Sequence, residues 1–235
     1  MAPETMLLDR HRPPSTPPPL DWLTLADAFE IACLVRCAPA HPVDGRRGGA
    51  EPYRGAPAEF NRPEAAHRMR QLLTRLDVPV EHQVTTGGLR RRYELHRLEV
   101  PREHRPAYAR LVETGWRQGR RELLGGPVPG ASAARRLWRA RLAAAAWRSA
   151  LLAGGRHVRR HILGVRLADR ELAAVLVRGA ALLDVPALLR PGAGCFVVCV
   201  ADGPDRRRIL DNAALAPAPV PHSGTLCPPP DPDAA

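Results

Sequence analysis

The sequence predicts an α+β protein built from two αββαββα repeats, each an antiparallel sheet with helices packed on one side. Two observations carry this. The tetrapeptide Leu76-Asp77-Val78-Pro79 returns as Leu183-Asp184-Val185-Pro186, 107 positions later. At the same offset Glu64 meets Glu171 and Ala66 meets Ala173. Each copy closes an amphipathic helix and is followed by strand-type residues. Laid side by side, both halves read helix, strand, strand, helix, strand, strand, helix.

Residues 1–19 read as a flexible leader, because Pro13, Pro14, Pro17, Pro18 and Pro19 block a helix. Thr24 to Asp27 resembles a capping box. From Leu25 to about Cys37, Leu25, Ala28, Phe29, Ala32 and Val35 form one stripe. Ile31, Cys33 and Leu34 widen it, so this helix should be mostly buried. Residues 39–61 read as a long loop, with short strands near His41–Val43 and Ala58–Phe60. Asn61 and Pro63 start a helix whose inner face is Ala66, Met69, Leu72, Leu73 and Leu76. A hairpin follows: Val78, Val80, His82 and Val84 alternate, Thr85 to Gly88 turn, and Leu89 to Leu98 return. On the returning strand the odd positions Leu89, Tyr93 and Leu95 are apolar. The even positions Arg90, Arg92, Glu94 and His96 form a charged face. A helix from Glu103 to Thr114 should stop before Gly115.

The first repeat is thus placed at 20–118, a linker at 119–131, the second repeat at 132–215 and a disordered Pro/Ala-rich tail at 216–235. Ser132 caps a helix to Ala153 that carries Leu137, Leu142, Ala145, Ala146, Trp147, Leu151 and Leu152, and Gly154 and Gly155 end it. His157 to Leu167 suits a strand. Asp169 to Leu183 is the second copy of the repeated helix. Val185–Leu189 and Cys195–Val200 form a second hairpin around Pro191–Gly194, and a short helix runs from Pro204 to Ala214.

At 235 residues the chain is long enough for one or two domains with a real core. It has no lysine: all 35 basic residues are arginine, the net charge is +11 and the pI is near 10.9. Such a charge points to a polyanion, with part of the excess owed to an arginine-rich composition. No apolar run is long enough for a membrane span, and the start lacks a signal-peptide apolar core. The five cysteines, Cys33, Cys37, Cys195, Cys199 and Cys227, are odd in number, and a reducing cytoplasm is the expected setting. Cys33/Cys37 and Cys195/Cys199 are spaced by four; structural zinc uses closer pairs on turns, so no metal is assigned. The glycine-rich Pro191–Gly194 lies inside a hairpin and makes no phosphate cradle. No nucleotide-binding loop and no serine elbow exist, so no cofactor is expected.

Two arginine clusters remain as candidate DNA contacts. Arg90, Arg91 and Arg92 follow a Gly-Gly turn, with His96 further along the same strand. Arg156, Arg159 and Arg160 open the second half. Both could line one phosphate-binding surface. The alternative is a solvated face paired with Glu81 or Glu94. The second hairpin differs: Phe196, Val198 and Val200 face one way and Cys195, Val197 and Cys199 the other, so both faces are apolar. Cys195–Val200 is then covered by structure, by a partner protein or by a second copy of the chain.

The plan resembles the LAGLIDADG homing-endonuclease fold, and more closely its degenerate form in the WhiA-type sporulation and cell-division regulators. Phe29 to Ala38 resembles the first signature helix. Glu64 to Leu76 with Gly87-Gly88-Leu89-Arg90, Trp147 to Gly155, and Leu172 to Val200 resemble the segments that follow. The resemblance spans roughly residues 24 to 214. It implies that the two signature helices pack together at the centre. It also implies an acidic metal ligand at the end of each in the nucleases, where this chain has Ala38 in one copy and Gly154 and Gly155 in the other. The regulators continue into a helix-turn-helix domain, which nothing after Ala214 supplies. The expected function is therefore a non-catalytic, DNA-associated regulatory protein bound to double-stranded DNA. The alternative is a protein-interaction or dimerisation module of the same fold.

Overall fold

The repeated tetrapeptide makes the same corner twice. Asp77 and Asp184 both adopt a left-handed backbone, with φ of 53° and 57°. Val78 N–H donates to the Leu73 carbonyl and Val185 N–H to the Ala180 carbonyl, each at 2.9 Å. This six-to-one bond is the Schellman closure of a helix. Glycine or asparagine usually takes the left-handed position, because a side chain there costs about 1–2 kcal/mol. Aspartate, whose short polar side chain tolerates the left-handed region, takes it in both copies.

The computed structural model describes residues 19–38, 57–87, 93–126, 130, 132–159 and 162–213. The leader, the tail with Cys227, the strand expected near 41–43, and Arg90, Arg91, Arg92 and Arg160 lie outside them. The first half runs α1 (Trp22–Cys37), β1 (Ala58–Phe60), α2 (Pro63–Arg75), β2 (Glu81–Gly87), β3 (Tyr93–Glu99) and α3 (Arg105–Leu124). The second runs α4 (Ala133–Ala153), β4 (Gly155–Arg159), β5 (Ile162–Leu167), α5 (Arg170–Leu182), β6 (Ala187–Gly192), β7 (Cys195–Ala201) and α6 (Pro204–Asn212). The sheets have the orders β1-β3-β2 and β4-β5-β7-β6, antiparallel throughout. The second half is a complete αββαββα unit, and the described first half matches it less one strand.

Several boundaries differ from expectation. Asp21, rather than Thr24, caps α1, accepting from the N–H groups of Leu23 and Thr24. The stretch read as one strand over His157–Leu167 is two, β4 and β5, paired antiparallel. Val78 and Val80 precede β2, whereas Thr85 and Thr86 belong to it. Helix α3 does not stop before Gly115 but continues to Leu124. The reason is packing. A Cβ on Gly115 would sit 2.7 Å from the Ala28 backbone, and one on Gly119 would sit 2.3 Å from the Phe29 ring. The two glycines, one helical turn apart, let α3 lie directly against α1. Phe29 in turn stacks on Trp116 at 5.9 Å.

α1 is the hub. It packs on α3 within its own half and on α4 of the other, so the two signature helices meet at the centre as expected. The Ala143–Ala146 run keeps α4 slim, and the Trp147 indole N–H donates to the Leu176 carbonyl of α5 at 3.1 Å. Inside this contact lies Glu30, 2% exposed. Arg68 of α2 forks onto both its carboxylate oxygens at 2.7 and 2.8 Å, and Arg148 of α4 donates to Oε2 at 2.7 Å. The Ser149 hydroxyl lies 3.1 Å from the Glu30 carbonyl and 3.0 Å from that of Ala145, donating to one at a time. The hydrogen bond to the Glu30 carboxylate holds the Arg68 pKa up. A single buried core joins the halves around this group.

Two substitutions test this centre. Gly119→Ala gains helix propensity of about 1 kcal/mol, but overlap in a packed core costs about 1–3 kcal/mol. Phe29 is fully buried and held by Trp116, so overlap should win. The midpoint of urea unfolding is expected to fall; a rise would refute the close approach. Glu30→Ala removes the carboxylate that Arg68 and Arg148 share. Breaking a buried ion pair costs about 3–5 kcal/mol, and the same unfolding curve should show it.

Candidate nucleic-acid interface

Helices cover one side of each sheet, so the opposite side is the surface on offer, and strand register decides which residues reach it. Directly paired residues in an antiparallel ladder share a face. On β3, Leu98 is buried beneath α2, and His96 is 6% exposed opposite Phe60. The even positions therefore face the helices. Tyr93, Leu95, Arg97 and Glu99 form the outer face, joined in register by Gly87, Thr85, Gln83 and Glu81 of β2. The expectation had the opposite phase, with the charged even face outward. It phased the strand on residues 89–96, whereas the helix cover acts on its other end, at Leu98 and Val100.

His96 is accordingly not an outer-face residue. Its Nδ1 lies 3.1 Å from His82 Nε2, the rings stack at 5.3 Å, and its Nε2 is 3.5 Å from the Glu94 carboxylate. Desolvation, then the neighbouring His96 and Arg70, lower the His82 pKa.

The outer faces of the two sheets differ in charge. On the first, Arg97 is shared between Glu59 at 3.8 Å and Glu99 at 3.9 Å, and Glu81 stands opposite Glu99. Arg97 thus already has two carboxylate partners, one of which, Glu99, is also bound by Arg105, and this makes it a poor phosphate ligand. On the second, Val197 at the centre of β7 pairs with Arg190 of β6 on one side and Arg166 of β5 on the other. Both arginines are exposed, and neither has an ion-pair partner among the described residues. With strands about 4.8 Å apart, this row sets two cations roughly 10 Å apart across a flat apolar strip. The next row is Leu188, Cys199 and Gly164. In β7, Val198 and Val200 are buried and Cys195, Val197 and Cys199 are half-buried on the outer side, which is the division read from the sequence. Arg166 and Arg190 were not among the candidates. Nothing local marks them: each becomes a neighbour of Val197 only through pairing register. Arg156 and Arg159 lie in β4 at positions of opposite parity. Arg159, paired with Ile162, is in register with the outer face that carries Arg166, whereas Arg156, paired with buried Val165, falls on the helix-covered face and is withdrawn as a candidate. Arg90, Arg91, Arg92 and Arg160 lie outside the described residues.

The ends of the signature helices are closed. α1 is capped by Ala38 and α4 by Gly154, so neither cap residue is a carboxylate. A Cβ on Gly154 would meet the Ala150 carbonyl oxygen at 2.5 Å and Val165 at 2.9 Å, which leaves no room for a side chain. Near the end of α1, Asp169 is engaged by Arg36, whose guanidinium lies 3.9 Å above the Trp116 ring. The same aspartate caps α5 through the N–H groups of Glu171 and Leu172. Burial, aided by the Asp169 charge, pushes the Cys37 thiol up, so it stays protonated. No helix among the described residues is long and apolar enough to cross a membrane.

No protein-family model matches the chain, and no curated protein matches it at a significant level. Solved structures do. Full-length DUF199/WhiA from Thermatoga maritima superposes with a TM-score of 0.52 at 14% identity, over 82% of this chain and 56% of that one. The N-terminal LAGLIDADG domain of DUF199/WhiA gives 0.51 at 13% identity, over 83% of this chain and 84% of that one. A variant of I-DmoI in complex with its target DNA gives 0.50 at 15% identity, over 82% and 97%. The chain thus has the LAGLIDADG fold and spans little more than half the length of full-length DUF199/WhiA.

The His82–His96 pair makes stability depend on pH. A lowered folded-state pKa means the unfolded chain takes the proton first. The contribution is therefore complete above the free imidazole value near 6.5 and is lost as the pH falls through the folded-state value. The melting temperature should drop between pH 7.5 and pH 5, and His82→Gln should flatten that slope. Equal slopes for the two proteins would remove the pair from the account.

Proposed function

We propose that the chain is a non-catalytic, DNA-associated regulatory protein that lays the outer face of its second sheet along a duplex. The observation that carries this is the Arg190–Val197–Arg166 row, two cations without carboxylate partners among the described residues on an open sheet face. The net charge of +11 supports the same reading, since it favours approach to a polyanion. Arg90, Arg91, Arg92, Arg159 and Arg160 are proposed as further phosphate contacts; Arg156 is left out, because its ladder partner Val165 lies on the helix-covered face. The acidic surround of Arg97 makes the described part of the first sheet the weaker contributor. That neither cap residue, Ala38 or Gly154, is a carboxylate supports a non-catalytic role, because two-metal cleavage needs acidic ligands at that point. A cytoplasmic regulator of sporulation or cell division, as the WhiA resemblance implies, is part of the same proposal. So is the division into repeats at 20–118 and 132–215, although α3 carries the first on to Leu124.

One observation favours a second reading. Leu188, 62% exposed, lies on edge strand β6 next to Cys199 and Val197. An open edge beside an apolar strip is what a second copy or a partner strand would cover. In that reading the face through Cys195–Val200 is a dimerisation or protein-interaction surface.

Fluorescence anisotropy of a labelled duplex between 50 and 200 mM salt separates the two. Every arginine–phosphate pair adds about 0.9 to the steepness of the log–log salt dependence. Arg166→Ala with Arg190→Ala should therefore flatten it by about 2 and weaken binding at least tenfold. If that double variant binds as tightly as wild type, while Leu188→Asp turns a dimer into a monomer in sedimentation velocity, the second reading replaces the first. Plasmid incubated with Mg²⁺ should stay intact; cleavage would overturn the non-catalytic reading.

A further inference from the structure

At the other end of the helix pair, α1, α3 and the start of α4 enclose a cavity of about 480 Å³. The sixteen residues of α1 span about 24 Å, which separates this end from the caps where the sheets begin. The size falls within the range of small-molecule sites, about 300–1,000 Å³. Leu20, Trp22 and Leu25 supply an apolar wall. Trp22 stacks on Trp138 at 5.5 Å, and a second cavity of about 440 Å³ shares Trp22, Glu122 and Arg135 with the first.

The polar groups on the other wall are selective in what they leave open. Arg117 is paired with Glu113 at 3.1 Å, and Arg135 with Glu122 at 3.1 Å. Arg121, on the same wall, has no ion-pair partner among the described residues. Gln118 Oε1 accepts the Leu20 N–H at 3.1 Å, leaving its amide N–H groups without a partner among the described residues. The Thr114 hydroxyl also lacks one, although the residue is only 9% exposed. Three donors, one of them an unmatched cation, therefore line the cavity from one face of α3, and the aromatic and aliphatic wall comes from α1 and the residues before it. A neutral apolar molecule would leave the guanidinium without a partner. An inorganic anion would leave the tryptophan and leucines bare. A molecule with an apolar body and one anionic head satisfies both walls.

We propose that this cavity binds a small amphipathic anion, a monomeric carboxylate with an apolar chain or ring. Its head lies on Arg121 with Gln118 and Thr114, and its body lies against Trp22, Leu20 and Leu25. The site is independent of the proposed DNA face and stands or falls without it.

The test uses the full chain and sodium decanoate as probe, with decylammonium as the opposite charge. Decanoate is expected to quench tryptophan fluorescence saturably below its aggregation concentration and to raise the melting temperature. Decylammonium should bind at least tenfold more weakly. Arg121→Gln should weaken decanoate about tenfold without moving the melting temperature of the free protein, because the side chain is exposed and unpaired. Arg121→Glu should reverse the preference toward decylammonium, an outcome that loss of folding cannot mimic. Equal binding of the two probes, or decanoate binding indifferent to both Arg121 substitutions, overturns the proposal. So does binding to phosphatidylglycerol vesicles without any binding of monomeric decanoate, which would make the patch a lipid-surface contact.

Discussion

Glu30 is a carboxylate in the buried stretch of α1, and the rest of the architecture depends on how it is neutralised. A buried charge is tolerated only when it is paired and hydrogen-bonded. Its partners come from both halves: Arg68 on α2 and Arg148 on α4. Satisfying Glu30 therefore requires α2 and α4 to be docked on α1 at once. Around it the helices approach closely because small residues remove the bulk, Gly115 and Gly119 on α3 and the alanine run on α4. Small residues provide the closeness, and the ion cluster provides the alignment. Together they explain why two similar units form one core rather than two.

The duplication is preserved in the backbone and lost on the surface. The corners at Asp77 and Asp184 agree to within a few degrees, and the helices before them end with the same hydrogen bonds. The faces that the corners lead to have diverged. Beside Arg97 the first sheet gathers carboxylates, while the second presents an apolar strip bracketed by Arg166 and Arg190. Backbone geometry is held by packing that tolerates little change, whereas an outer sheet face is less tightly constrained and can change sign. Functional asymmetry within a symmetric scaffold follows from that difference.

Much of the fold was legible in the sequence because it rests on local patterns. Helical spacing marked α1, α2, α4 and α5; Ser132 marked the start of α4; the tetrapeptide marked the duplication. What was misread had a non-local cause. Gly115 looks like a stop signal to any local reading, and only the approach of Ala28 makes it a helix interior. Residues 89–96 alternate clearly but cannot say which parity faces inward. Leu98 under α2 decides that, and in deciding it buries His96. Glu30 was passed over. An acid in a helix read as mostly buried was the available signal that it had to be paired.

By itself the sequence determined the fold class, the order of elements and the twofold repetition, because propensity, periodicity and helix-end chemistry act over a few residues and are written where they act. Tertiary structure alone decided which side of each strand is the surface and which charges stand together on it. Arg166 and Arg190 are 24 residues apart in the chain and two strands apart in the sheet. Their meeting across Val197 depends on the register of two ladders, and that register is set by what the helices bury on the other side.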